Sequence, residues 1–158
     1  MGLLVSVVLI ASIPERDLNV RLRAQSTPEA IRLMADSGDA AAQRNLGLMY
    51  AGGRGVEQDD KEAARWLLLA AEQGEPRAQA SLGFAYALGK GVSLDYVEAY
   101  KWLDLAVGRA SVENRRLFQR NREVVASEMT TAELQDARCR VRAWSDSQQG
   151  GLRSSVLD

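Results

Sequence analysis

The sequence predicts an all-α fold, an α/α superhelical solenoid of 36-residue helix-turn-helix repeats with two full repeats and degenerate units at the ends. Three observations carry this. Residues 38–70 can be laid on residues 74–106 with 17 of 33 positions identical, a self-similarity at a spacing of 36 residues. Within each copy, apolar residues recur at helical spacing in two separate segments. Between those segments stand paired glycines, which supply the positive φ that a tight linker between antiparallel helices requires. One such unit cannot bury its apolar face alone, so neighbours stack into an extended surface suited to binding.

The elements follow in chain order. Ser26-Thr27-Pro28-Glu29 opens a lone helix whose Ala30, Ile31, Leu33 and Gly38 match the second helix of a missing earlier repeat. The first full repeat begins with Ala42, Leu46, Met49 and Tyr50 on one helix face. After Gly53-Arg54-Gly55, Asp59 and Glu62 form the D-x-x-E signature of a helix start, and Ala63, Trp66, Leu67 and Ala70 mark the second helix. Gly74 fits a helix stop and Pro76 the head of the next helix. The second repeat restates the pattern with Ala78, Leu82, Ala85 and Tyr86, then Gly89-Lys90-Gly91, then Asp95 with Glu98, then Ala99, Trp102, Leu103 and Ala106. Ser111 to Met129 reads as a longer third first-helix, with Phe118 where Leu46 and Leu82 stood. Thr130-Thr131-Ala132-Glu133 starts a last helix through Leu134, Ala137, Val141 and Trp144. The domain division expected is 1–25 for an apolar leader, 26–145 for the repeats and 146–158 for a disordered tail containing Gln148-Gln149-Gly150-Gly151.

Two features invite a sharper reading. Gly47 and Gly83 fall inside helices, where glycine costs about 1 kcal/mol against alanine; close approach of the partner helix is the expected compensation. The G-x-G turns could be phosphate cradles and the tryptophans stacking platforms. Helix linkers and core residues explain both more simply.

Composition narrows the chemistry. The 158 residues carry a formal net charge of −1, so no global field favours nucleic acid. The sign is uneven: residues 36–75 hold eight acidic and four basic side chains, and residues 109–142 hold eight basic and five acidic. There is no histidine, which removes the commonest metal ligand and general base. No phosphate-binding Gly-rich loop followed by Lys-Ser/Thr is present. The expectations are therefore no enzyme, no cofactor and no metal. The single cysteine, Cys139, excludes an internal disulfide framework and is expected to be a buried, inert thiol. Gly2 to Ile13 is an apolar run of twelve residues, too short to span a bilayer as a helix and fitting a signal-peptide core. No basic residue precedes it. The expectation is a periplasmic or secreted protein, with a cytoplasmic chain as the alternative.

The residues Ala42 to Tyr50, Gly53 to Val56 and Asp59 to Leu67, and their recurrence from Ala78 to Leu103, resemble the Sel1-like repeat family, a relative of the tetratricopeptide repeat. The closing stretch from Val97 to Trp144 is similar to the end of short bacterial members. The resemblance covers about residues 26–145 and implies an α/α solenoid acting as an adaptor or scaffold, often in bacterial envelope or signalling contexts. One cysteine-rich secreted branch is linked to β-lactam binding through repeats stapled by paired cysteines. With Cys139 alone, this chain does not inherit that role.

The preferred function is a non-enzymatic protein-binding module that takes a peptide or protein segment in the concave groove lined by the first helix of each pair. Alignment with the related repeats puts Ala41, Arg44, Leu48 and Ala51 on that face. Arg77, Ala80, Phe84 and Ala87 follow, then Glu113, Arg116, Arg120 and Glu123. Of these, Arg44, Leu48, Arg77, Phe84, Arg116 and Arg120 are the candidate partner-binding residues. Apolar residues between arginines suit a partner with acidic side chains or a free carboxylate, because Arg binds carboxylates bidentately. A merely solvated arginine face is the plain alternative. A cell-envelope hydrolase, a β-lactam-binding protein, or a structural subunit stacking through its end helices are the other readings. A monomer or weak oligomer is expected.

Overall fold

The computed structural model describes residues 27–154. The apolar run 2–13, and the expectation of export built on it, lie outside the described residues. Within them the chain is all helical: α1 (Pro28–Asp36), α2 (Ala40–Gly52), α3 (Asp60–Glu72), α4 (Pro76–Leu88), α5 (Tyr96–Arg109), α6 (Val112–Ser127) and α7 (Thr131–Ser154). Each helix packs on its sequence neighbour from α1 to α6, and α7 packs back on α5. Packing of each unit chiefly on the adjacent unit is what a solenoid requires. The full repeats are α2–α3 and α4–α5, with α1 and the pair α6–α7 as end units.

Helix starts are set locally. The Asp59 carboxylate accepts from the Lys61 and Glu62 amides, and Asp95 accepts from Glu98 N. Only half of each expected box forms, because Glu62 and Glu98 turn outward to Arg65 and Lys101. Thr130 and Glu133 close the full reciprocal box: Thr130 N–H donates to Glu133 Oε2 at 2.7 Å, and Glu133 N–H donates to Thr130 Oγ1 at 3.3 Å.

The core runs along the seam between paired helices, through Leu46 and Trp66, then Leu67, Leu82 and Trp102, then Leu103 and Phe118. Trp66 and Trp102 are core residues, only 4% and 3% exposed. The helical glycines sit where the helices touch. A Cβ built on Gly83 would lie 2.8 Å from Leu103 Cγ and 3.1 Å from the Ala99 carbonyl oxygen, and Gly47 meets Leu67 and Ala63 in the same way. Contact this close leaves no room for a methyl. In the second turn Gly91 has φ +71°, and a Cβ there would strike the Asp60 carbonyl at the head of α3. The turn thus serves helix reversal and repeat stacking, as the linker reading expects.

A polar stitch joins successive units. Gln43 and Gln79 are buried and equivalent, and each donates its side-chain amide to the last turn of the preceding second helix: Gln43 to Ala35 O at 3.2 Å, Gln79 to Ala71 O at 3.1 Å. The sequence aligns these glutamines without giving them a role.

Two expectations are corrected. Helix α7 continues to Ser154, through 146–154 where a disordered tail was expected. Extending a helix already nucleated and anchored costs little per residue, and Ser145 and Ser147 donate their hydroxyls back to Val141 O and Trp144 O. Cys139 is exposed, because Ala137, Val141 and Trp144 take the buried face of α7 and place position 139 on the other side.

Candidate functional site

Between successive first helices lie two apolar pockets. The first, about 260 Å³, is walled by Leu48 and Ala51 of α2, Ala64 and Leu67 of α3, and Phe84 and Leu88 of α4, with Asp60 and Lys90 also lining it. The second, about 280 Å³, is formed by Phe84, Ala87 and Leu88 of α4, Tyr96 of α5, and Asn121, Val124, Val125 and Glu128 of α6. Phe84 and Leu88 are common to both. Second helices supply part of each wall.

The pockets are related in part by the repeat. Adding the 36-residue period to Leu48, Ala51, Asp60, Ala85 and Leu88 gives Phe84, Ala87, Tyr96, Asn121 and Val124, all of which line the second pocket. The apolar walls are open to solvent: Phe84 is 41% exposed, Leu88 63% and Val124 60%. A run of exposed large apolar side chains on one face is the surface feature that marks interaction sites.

The predicted residues divide on this geometry. Leu48 and Phe84 come together in the first pocket. The four arginines line neither pocket. Arg44 is tied down: its guanidinium donates to Asn45 Oδ1 at 2.8 Å and to Glu75 Oε1 at 3.3 Å, bridging one repeat to the N-cap of the next. Arg77 is exposed in the first turn of α4, and Arg116 and Arg120 are exposed one turn apart on α6. Arg120 occupies, one period on, the position of Leu48 and Phe84. Leu88 and Val124 were missed by sequence reasoning. The available signal was an apolar residue four positions after Phe84, at the end of a helix, where no core partner is needed.

Other charges serve the scaffold. Arg122 pairs with Asp104, joining α6 to α5, and Arg140 pairs with Glu98 at 2.7 Å, joining α7 to α5. Bonds from Glu98 and Asp136 hold the Arg140 guanidinium firmly protonated. Hydrogen bonding and charge from Arg65 keep the Glu62 carboxyl below its usual range. Burial, with Glu98 and Asp95 nearby, raises the Tyr86 phenol. Among the described residues no cluster of three or more His, Cys, Asp or Glu is placed to hold a metal.

The Sel1 repeat family model matches residues 40–75 and 76–107. Among solved structures, the chain is similar to a protective antigen of uropathogenic Escherichia coli strains that displays an SLR fold, at 33% identity and TM-score 0.72 over 90% of this chain. It is also similar to a Sel1 repeat protein from Oxalobacter formigenes, at 34% identity and TM-score 0.54 over 58% of this chain. The chain spans 31% and 27% of the lengths of those proteins. No curated protein matches it. The repeat register of α2–α5, the glycines at its helix contacts and these likenesses agree: residues 40–107 carry two Sel1 repeats, and the solved structures the chain is similar to are Sel1 or SLR repeat proteins.

Proposed function

We propose that this chain is a non-enzymatic adaptor that grips a segment of a partner protein in the concave groove between its first helices. Sel1 repeat proteins are in general protein-interaction modules; the groove as the place of contact is our reading. The observation that carries it is the pair of apolar pockets, related in part by the repeat, that share Phe84 and Leu88. Each is smaller than the roughly 300–1,000 Å³ of a small-molecule cleft and open enough to admit a side chain. Exposing Phe84 and Leu88 to water without a partner is unfavourable by about 25 cal/mol per Å² of apolar surface, so covering them is a source of affinity.

The test is crosslinking capture from the native cell with Phe84→Asp against the parent protein. A partner captured by the parent and lost with Phe84→Asp, at unchanged circular dichroism, is the expected result. Equal capture by both would place the contact elsewhere, on the opposite face or at the end helices. Turnover of cell-wall or general hydrolase substrates by the purified protein would overturn the non-enzymatic reading.

A further inference from the structure

The geometry points to a second docking seat, apart from the groove: one face of α3 takes a partner helix through an arginine set on Glu62 and an apolar side chain one turn further on, set on Leu69.

The second repeat shows this seat filled. Helix α7 lies on α5 rather than pairing with α6, as a second helix would. Its Arg140 guanidinium donates to Glu98 Oε1 at 2.7 Å. Val141 and Trp144 pack against the cluster that holds Trp102 and Leu105, and Trp144 meets the Trp102 ring edge-on. Subtracting the 36-residue period from Glu98, Trp102 and Leu105 gives Glu62, Trp66 and Leu69. The acid, the ring and the leucine are all restated, four and then three residues apart on one face of α3. Among the described residues no counterpart of α7 lies there, and α3 packs on α2 and α4. Leu69 is accordingly 37% exposed, where Leu105 under α7 is 6% exposed. Trp66 is closed over by Ala35, Ala42 and Leu46, so the apolar contact falls on Leu69.

The open seat also calls for a cation. Glu62 is paired with Arg65 of its own helix, as Glu98 is with Lys101, and Glu98 still accepts Arg140 on its other oxygen. A carboxylate has lone pairs for several donors, so Glu62 can take a second guanidinium after a small shift of Arg65, an exposed pair worth little by itself. Beside Glu62 lies a polar cleft of about 650 Å³, lined by Arg32, Tyr50, Glu57, Asp59, Glu62 and Arg65 among others. Its three carboxylates against two guanidiniums leave one formal negative charge. One period on, Asp95 and Glu98 against Lys101 leave the same, and there Arg140 supplies the positive charge. Arginine suits this place because its planar fork can bridge two carboxylates: Arg140 bonds Asp136 of its own helix as well as Glu98. The partner that fits is therefore a helix with an acid, an arginine and an apolar residue at four-residue intervals along one face.

The probe is a synthetic peptide of residues 131–147 with blocked ends. An isolated helix of this length is marginal in water, so it is held by a lactam between Gln135→Glu and Cys139→Lys, both exposed positions of α7. Binding is followed in the proton–nitrogen NMR spectrum of the full chain. Saturable shifts are expected at Glu62, at Leu69 and at the Trp66 indole N–H. A peptide carrying Arg140→Gln should bind at least about tenfold more weakly, with Arg140→Lys in between. Glu62→Arg in the protein should reproduce the loss at unchanged circular dichroism. Four results would overturn the seat: no saturable shift at millimolar peptide, equal binding of the Arg140→Gln peptide, shifts at Glu98 and Trp102 alone (the peptide has then exchanged with α7), or shifts at Phe84 and Leu88, which would put it in the groove. Lines that broaden with protein concentration without peptide, and sharpen in Glu62→Arg, would give the seat to a second copy and equally overturn a separate partner helix.

Discussion

At Gly83 the helix backbone gives up the roughly 1 kcal/mol that alanine would return in propensity. It does so because α5 lies against it: Leu103 Cγ and the Ala99 carbonyl would be 2.8 and 3.1 Å from any Cβ. Neither is the free end of a flexible side chain, so the strain must go into moving one helix off the other. Gly83→Leu should therefore cost 2 kcal/mol or more by overpacking, and Gly47→Leu about as much, read as a lower urea midpoint. Trp66 makes the opposite case. Its ring is buried against Ala35, Ala42 and Leu46, so Trp66→Ala should cost about 3–5 kcal/mol through the cavity left behind. A stable Trp66→Ala variant that lost partner binding would instead mark the ring as a contact surface.

Among the helices, α7 shows how an end unit is secured. Its head is fixed by the Thr130–Glu133 box, and its middle by Trp144, which meets Trp102 edge-on at 6.2 Å and has the Arg109 guanidinium over its ring. The bonds from the Thr130 amide and hydroxyl hold the Glu133 carboxyl below its ordinary range. A depressed carboxyl in the folded state contributes stability above its unfolded pKa, about 4.3, and loses it as pH falls through the folded value. Carboxyl-detected NMR should show Glu133 titrating below a free glutamate, with the difference abolished in Thr130→Ala. Asp95→Ala, removing the cap of α5, should cost about 1 kcal/mol, measurable as a lowered melting temperature.

Across the molecule, stability is shared between repeats through the seams, the glutamine stitches and, among the described residues, three inter-element ion pairs. Gln79 Oε1 is buried without a partner among the described residues, where the equivalent Gln43 Oε1 receives Gln73 Nε2 at 2.7 Å. Position 109, the equivalent of Gln73, is an arginine, and it goes to Trp144 instead. The second repeat thus exchanges a stitch inside the solenoid for an anchor on its last helix. Because α1 is capped by Thr27 and packs on α2, a protein starting at residue 25 should keep its helical circular dichroism and unfold cooperatively. Loss of either would mean that the apolar leader is part of the fold. Sequencing the mature N-terminus tests export directly: an intact Met1 counts against it.

The period, the helix pairs, the capped starts and the core tryptophans were legible in the sequence because each rests on local spacing, and a 36-residue repeat says the same thing twice. Leu48 and Phe84 were legible as surface residues for the same reason. The fate of the arginines was not. Whether Arg44 is free or bound depends on Glu75, 31 residues away, and whether Leu88 is core or pocket wall depends on how far α6 stands from α4. The exposure of Cys139 was decided by which face of α7 meets α5, and the length of that helix by an anchor at Trp144 that composition does not show. Local pattern fixes which residues form helices. Only the packing of those helices decides which side chains are left with water for a partner.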